Sequence, residues 1–226
     1  MSYTLAIGDR IYSSWSLRGW LLFAKFGLPV TVREGRLYTE EIGTMLRDFG
    51  GARLVPAVTA DDGLAVWDSL AIAETLAERH PKAGHWPADP ALRALARSLC
   101  AEMHAGFQAL RNACPMNLEF QYSTFPIAAD VRNDLDRIEM LWHLARQRSN
   151  AAGPWLFGNY CAADAYFAPV AMRVATYGLG VGDAARSYVE AHLNDAALLA
   201  WRKTGLVNFV AQSSYALDYP KIPWPD

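Results

Sequence analysis

Between residues 81 and 90 the chain reads PKAGHWPADP, ten residues with three prolines and a glycine. Proline has no amide proton and a fixed φ, so neither a helix interior nor a central strand runs through such a stretch. Strand-like runs occur only before it, and helical spacing dominates after it. The segment reads as a linker, residues 81–90, between a strand-bearing unit (1–80) and a helical unit (91–226). With 226 residues in total, each unit is long enough to bury a core of its own.

Within the first unit, Tyr3 to Ile7 is an apolar run, and residues 3–8 read as a strand. Leu17, Trp20, Leu21 and Ala24 then recur at the spacing of one helical face, which predicts a helix over 14–26. Gly27 sits where a C-terminal cap belongs, and Pro29 stops continuation. Val30 to Arg33 is a short strand candidate and Glu40 to Asp48 a weak helix. LVPAVT (54–59) and LAVW (64–67) flank Asp61-Asp62-Gly63, a hairpin signal. From Ser69 the stripe Ile72, Ala73, Leu76 and Ala77 runs to His80-Pro81. The order β-α-β-α-β-β-α describes a small mixed sheet with helices. Beyond the linker, Asp89-Pro90 is a helix start, with Asp as N-cap and Pro at the first helical position. Further helices are expected near 126–148, 162–177, 184–192 and 195–207. The proline-rich tail YALDYPKIPWPD reads as an extended strap.

Composition excludes several classes of function. Charged residues are 19% of the chain, hydrophobic residues 52%, and the net charge is -2. There is neither a basic excess for nucleic acid nor an acidic disordered tract. Apolar runs fall far short of the roughly 20 residues of a membrane span. The first residues lack a signal-peptide pattern, so a cytoplasmic location is the expectation. Cys100, Cys114 and Cys161 are odd in number and have no metal-ligand spacing, which argues for free thiols and no metal site.

The stretch IYSSWSLRGW (11–20) places Ser13, Ser14 and Ser16 where a strand hands over to a helix. Serine there is commonly an N-cap. A hydroxyl at a helix N-terminus also suits an anion, because the free N–H groups and the helix dipole are positive at that end.

SSWSLR at the first helix, Val55-Pro56 before the third strand, DSLAI (68–72) opening the third helix and GNYCAADAYFAP (158–169) occur in one order ahead of and within a helical second unit. Together they resemble a glutathione S-transferase. The serine-rich stretch is similar to that of serine-type members, zeta-class transferases and maleylacetoacetate isomerases in particular, where Ser-Ser-Cys stands in place of Ser-Ser-Trp. The resemblance implies a thioredoxin-like α/β glutathione-binding domain followed by an all-α domain that contributes the electrophile site. It also implies glutathione as co-substrate and a homodimer.

It further implies roles for single residues. Ser13, with Ser14 or Ser16 assisting, would stabilise the glutathione thiolate. A cis Val55-Pro56 bond would aim the Val55 backbone at the cysteinyl moiety. Asp68 and Ser69 would take the ammonium and carboxylate of the γ-glutamyl end. Arg53 or Arg36 would serve the glycyl carboxylate, although GGARLVP departs from the usual basic residue directly before Val-Pro. In the second unit, MHAGFQALRNACPMN (103–117) offers His104, Arg111 and Asn117 to a small electrophile, with Trp15 and Arg173 at its edge. Asp164 matches half of a capping box whose usual hydroxyl partner is replaced by Cys161, a folding feature rather than a catalytic one.

The leading reading is a transferase that adds glutathione to an electrophile in detoxification. A glutathione-dependent isomerase of maleyl-type acids and a non-catalytic binding protein of the same fold stand as alternatives. A glutaredoxin-like redox role is disfavoured because the first unit has no cysteine.

Overall fold

A computed structural model of the chain describes residues 2–207 and 209–225. The first unit contains β1 (Tyr3–Ile7), α1 (Ser14–Ala24), β2 (Val30–Glu34), α2 (Glu40–Leu46), β3 (Ala57–Ala60), β4 (Ala65–Trp67) and α3 (Ser69–Arg79). The sheet order is β2-β1-β3-β4. β1 runs parallel to β2 and antiparallel to β3, and β3 and β4 form the hairpin. Gly63 takes the positive φ of +89° that this turn requires and that glycine adopts without steric cost. Leu5 of β1 lies opposite Val32 and Val58 and is fully buried with Leu17, Leu21 and Ile72. The apolar stripes of α1 and α3 therefore cover the sheet, as their spacing requires.

β3 begins at Ala57, three residues later than the apolar run at 54 suggests. Leu54 is an exposed side chain, and the Val55-Pro56 bond is cis. Helix α1 passes so close to this turn that a Cβ on Gly19 would lie 2.6 Å from Pro56 Cβ. Glycine at that position lets the serine junction and the Val55-Pro56 turn share one wall.

The second unit comprises α4 (Pro90–Ala105), α5 (Gln108–Ala113), α6 (Ala129–Ser149), α7 (Ala162–Tyr177), α8 (Asp183–Leu193) and α9 (Ala196–Leu206). α4 is capped as its sequence predicts, with Asp89 Oδ1 accepting from Ala91 N and Leu92 N at 2.9 Å each. It stops at Gly106, and Phe107 turns the chain through φ +60° before α5. α7 is buried at every residue except Ala175, which makes it the central post of this unit. At its start both halves of the capping box are present, the Cys161 thiol included.

The unit is not helical throughout. Phe120–Tyr122 (β5) pairs antiparallel with Lys221–Pro223 (β6). Each strand is three residues long, too short for a period-two pattern to show. The extended tail is otherwise as expected: it folds back as a strap, and Tyr122 Oη accepts from Leu217 N at 2.8 Å.

The two units share one core. Arg18 Nε of α1 donates to Tyr166 O of α7 at 3.1 Å, and Tyr166 Oη donates to Ser69 Oγ of α3 at 2.9 Å. Lys25 pairs with Asp195. In the linker, the His85 ring stacks on Phe26 at 4.0 Å and its Nε2 lies 2.9 Å from Leu22 O. The linker is thereby tied to α1 rather than left loose.

Candidate active site

A cleft of about 1230 Å³ opens between the units. One wall is the β1–α1 junction and the Val55-Pro56 turn; the opposite wall is α4, α5, α7 and the strap. Ser13, Ser14, Trp15, Arg53, Val55, Pro56, Asp68, His104, Arg111 and Arg173 all line it. Residues far apart in sequence thus converge on one volume.

The serines have different partners. Ser13 is the N-cap of α1: its Oγ accepts from Ser16 N at 3.2 Å and donates to Ser16 Oγ at 2.7 Å. Ser16 Oγ in turn accepts from Gly8 N at 2.8 Å. The Ser13 hydroxyl proton is committed to protein. Ser14, half-buried at the first helical position, has its Oγ accepting from Arg173 Nη2 at 3.0 Å.

On the α/β side, the Val55 N–H and C=O have no backbone partner among the described residues, which leaves a short edge open to β-type pairing. Asp68 caps α3 by accepting from Leu70 N at 2.8 Å. Its other oxygen lies 3.3 Å from His104 Nε2. Ser69 is fully buried, bonded to Tyr166 and outside the cleft lining; only its backbone is at the helix start. Arg53 reaches the cleft, whereas Arg36 lines a separate depression beside α9.

The helical side is rich in cations. Trp15 lies between two guanidiniums, Arg18 at 4.5 Å and Arg111 at 4.7 Å from its ring centre, with the His104 ring edge-on at 4.9 Å. Arg111 Nη1 donates to His104 O at 3.2 Å. Arg173 is held by Cys114 O at 2.7 Å and Pro169 O at 3.2 Å. Among the described residues no carboxylate forms an ion pair with Arg18, Arg111 or Arg173. Burial brings Arg18 down to about 9 and Arg173 down to about 10, so both remain protonated at neutral pH. Burial also lowers the His104 pKa; Asp68 opposes this while Arg18 and Arg111 add to it. His104 is consequently neutral at pH 7. The cysteines are inert: burial raises all three thiols, Cys114 to about 12.

Asn117 does not join the site. It is buried, its Oδ1 accepts from Glu119 N at 2.8 Å, and it braces the strap. Asn112, five residues earlier and on α5, lines the cleft instead. Sequence reasoning also missed Tyr12, Tyr38 and Tyr215, which form the far rim. Tyr12 stacks on Tyr215 at 4.5 Å and its hydroxyl accepts from Gln212 N at 3.1 Å. The Tyr38 and Tyr215 hydroxyls meet at 3.0 Å. No local signal ties a tail residue to residue 12 or 38. Among the described residues no group of His, Cys, Asp and Glu is arranged to hold a metal ion, and no helix is long and apolar enough to cross a membrane.

Residues 12–79 match the N-terminal domain of the glutathione S-transferases. Over 103 residues the chain is 33% identical to a probable maleylacetoacetate isomerase of Caenorhabditis elegans, covering 46% of this chain and 47% of that protein. The matched stretch thus spans about half the length of that relative. Among solved structures, a glutathione transferase homolog from Burkholderia gl BGR1 with bound glutathione superposes with TM-score 0.69 at 23% identity, covering 91% of this chain and 98% of that one. Maleylacetoacetate isomerase from Anaeromyxobacter dehalogenans 2CP-1, with bound GSH, gives TM-score 0.63 at 25% identity, covering 88% and 94%.

Proposed function

We propose, for a chain with the glutathione-transferase fold whose residues 12–79 match that family's N-terminal domain, that it is a glutathione transferase. In this reading it binds glutathione on the α/β wall of the cleft and activates the thiol for attack on a small electrophile lodged against α4, α5 and α7. The observation that carries the reading is the convergence of the α1 N-terminus, the open Val55 edge and Asp68 on one cleft. A tripeptide with a cysteinyl centre fits that spacing: the Val55 edge pairs with its backbone, Asp68 takes the ammonium, and the positive end of α1 receives the sulfur. Water is kept from the thiolate by Trp15 and the tyrosine rim.

Arg111 and Arg173, unpaired in the cleft, favour an electrophile that carries a carboxylate. That preference gives the second reading its support, glutathione-dependent isomerisation of a maleyl-type acid, the reaction named for two of the relatives. The two readings separate in one assay. Conjugation consumes glutathione in proportion to product, whereas isomerisation returns it. If product forms at the same rate without glutathione, both readings fail. The free thiols suit a cytoplasmic enzyme of detoxification.

Asp68→Asn should weaken glutathione binding about tenfold or more, since a charge-assisted hydrogen bond is worth about 1.5–3 kcal/mol. The amide keeps an oxygen for the α3 cap, so the melting temperature should barely move. Calorimetric titration measures the loss, and an unchanged affinity would make Asp68 a cap only. The protein should also be a homodimer, with a light-scattering mass twice the 25.0 kDa of one chain; a constant single-chain mass up to high concentration would refute this.

A further inference from the structure

Ser14 and Arg173 stand 159 residues apart, in different units of the fold, and their side chains meet at 3.0 Å. We infer that Ser14, not Ser13, donates the hydrogen bond to the glutathione sulfur, and that Arg173 is the positioning residue that turns the Ser14 hydroxyl toward it. The inference rests on the glutathione reading above and extends it to the identity and orientation of the donor.

A serine hydroxyl has one proton and two lone pairs. At Ser13 the proton goes to Ser16 Oγ and a lone pair takes the Ser16 N–H. Removing that proton from Ser16 to serve a sulfur would break the cap network that also holds Gly8 N. At Ser14 the cation fills a lone pair, and no described protein group accepts its proton. Repelled by the guanidinium, the O–H points away from Arg173 and into the cleft that Ser14 lines. A charged donor on the oxygen also polarises the O–H and strengthens the bond it gives.

Arg173 is fit for this task because it is fixed. Two carbonyls, Cys114 O and Pro169 O, grip its guanidinium from the other sides. The side chain is 5% exposed, and no described carboxylate neutralises it. A sulfur bonded to Ser14 would lie about 5–6 Å from this charge, a distance at which an opposite charge lowers an acid's pKa by about 1–3 units. The other charged or titratable groups around the cleft do not replace it. His104 is neutral, Asp68 acts in the opposite sense, Arg111 lies against Trp15, Arg53 is at the exposed rim, and Tyr12 and Tyr215 stay protonated.

The test is the ultraviolet absorbance of the thiolate, followed against pH in the glutathione complex of the full chain. In the wild type the bound thiol should titrate about 1–3 units below its free value of ~8.5. Ser14→Ala and Arg173→Met should each return it upward by about one unit or more, and Arg173→Lys should retain part of the shift. Ser13→Ala should lower thermal stability and leave the thiol pKa in place. A shift abolished by Ser13→Ala and untouched by Ser14→Ala overturns the inference, as does a folded Arg173→Met with the wild-type thiol pKa. If the Arg173 variants do not fold, the two serine variants decide: loss of the shift in Ser14→Ala alone supports the inference, and any other pattern overturns it. A wild type that binds glutathione without lowering its pKa defeats this inference alone. A wild type that binds no glutathione defeats the functional reading beneath it.

Discussion

Asp164→Ala should destabilise the protein by about 3–5 kcal/mol, since it leaves three buried donors without an acceptor at about 1–3 kcal/mol each. Against a total of about 5–15 kcal/mol for a folded domain, that change threatens the native state itself. The carboxylate is fully buried and satisfies three donors at once: Leu156 N at 3.1 Å, Cys161 N at 2.9 Å and Tyr188 Oη at 2.9 Å. Alanine leaves all of them buried and unpaired beneath α7, the element on which both units converge. Tyr188→Phe removes a single hydroxyl and should cost only about 1 kcal/mol. Urea midpoints with an unchanged m-value would measure both. An alanine variant within about 1 kcal/mol of wild type would show that water replaces the carboxylate, and that the α7 start does not anchor the fold.

Asp164 also shows what a sequence makes legible. Its role follows from residues three apart, and a cap is a local matter of side-chain reach. The same holds for Asp68, Asp89 and the Asp-Gly hairpin, and the fold follows from such signals plus apolar spacing. Ser13 is an instructive case, because family pattern and local physics pointed to different jobs for the same hydroxyl. Its hydroxyl meets Ser16, whose own oxygen holds the Gly8 amide, and Gly8 precedes the helix by several residues. The rest of the site was hidden for a different reason. Arg173 was a candidate cation, but its contact with Ser14 depends on how α7 crosses α1. Asn112 lies on the exposed side of α5, whereas Asn117 follows the end of that helix and is buried against the strap. The Tyr12–Tyr215 stack joins the tail to a distant turn, and the β5–β6 pair does so through strands of three residues, where no periodic pattern has room to appear.

The second large effect lies outside the cleft. Acidification should cost the native state stability through His192. Its ring is fully buried against Trp155 at 5.1 Å and Tyr188 at 4.7 Å, and neither nitrogen has a hydrogen-bond partner among the described residues. Tyr160 closes a further side, with Lys25 over its ring at 4.5 Å and paired with Asp195. Burial, with the Lys25 charge adding to it, pulls the His192 pKa down to about 3. In the unfolded chain it returns to about 6.5. Above pH 6.5 both states are neutral and this residue contributes no pH dependence. As pH falls from 6.5 toward 3, the unfolded chain takes up a proton that the fold refuses, so stability falls by up to ~1.4 kcal/mol per unit, about 4–5 kcal/mol in all. His192→Leu, apolar and similar in volume, should lie within about 1.5 kcal/mol of wild type at pH 7.5. It should also keep a markedly flatter acid profile. Urea midpoints taken from pH 8 to pH 4 compare the two. Parallel profiles would mean that the buried imidazole accepts a proton in the native state, and that acid sensitivity originates elsewhere in the molecule.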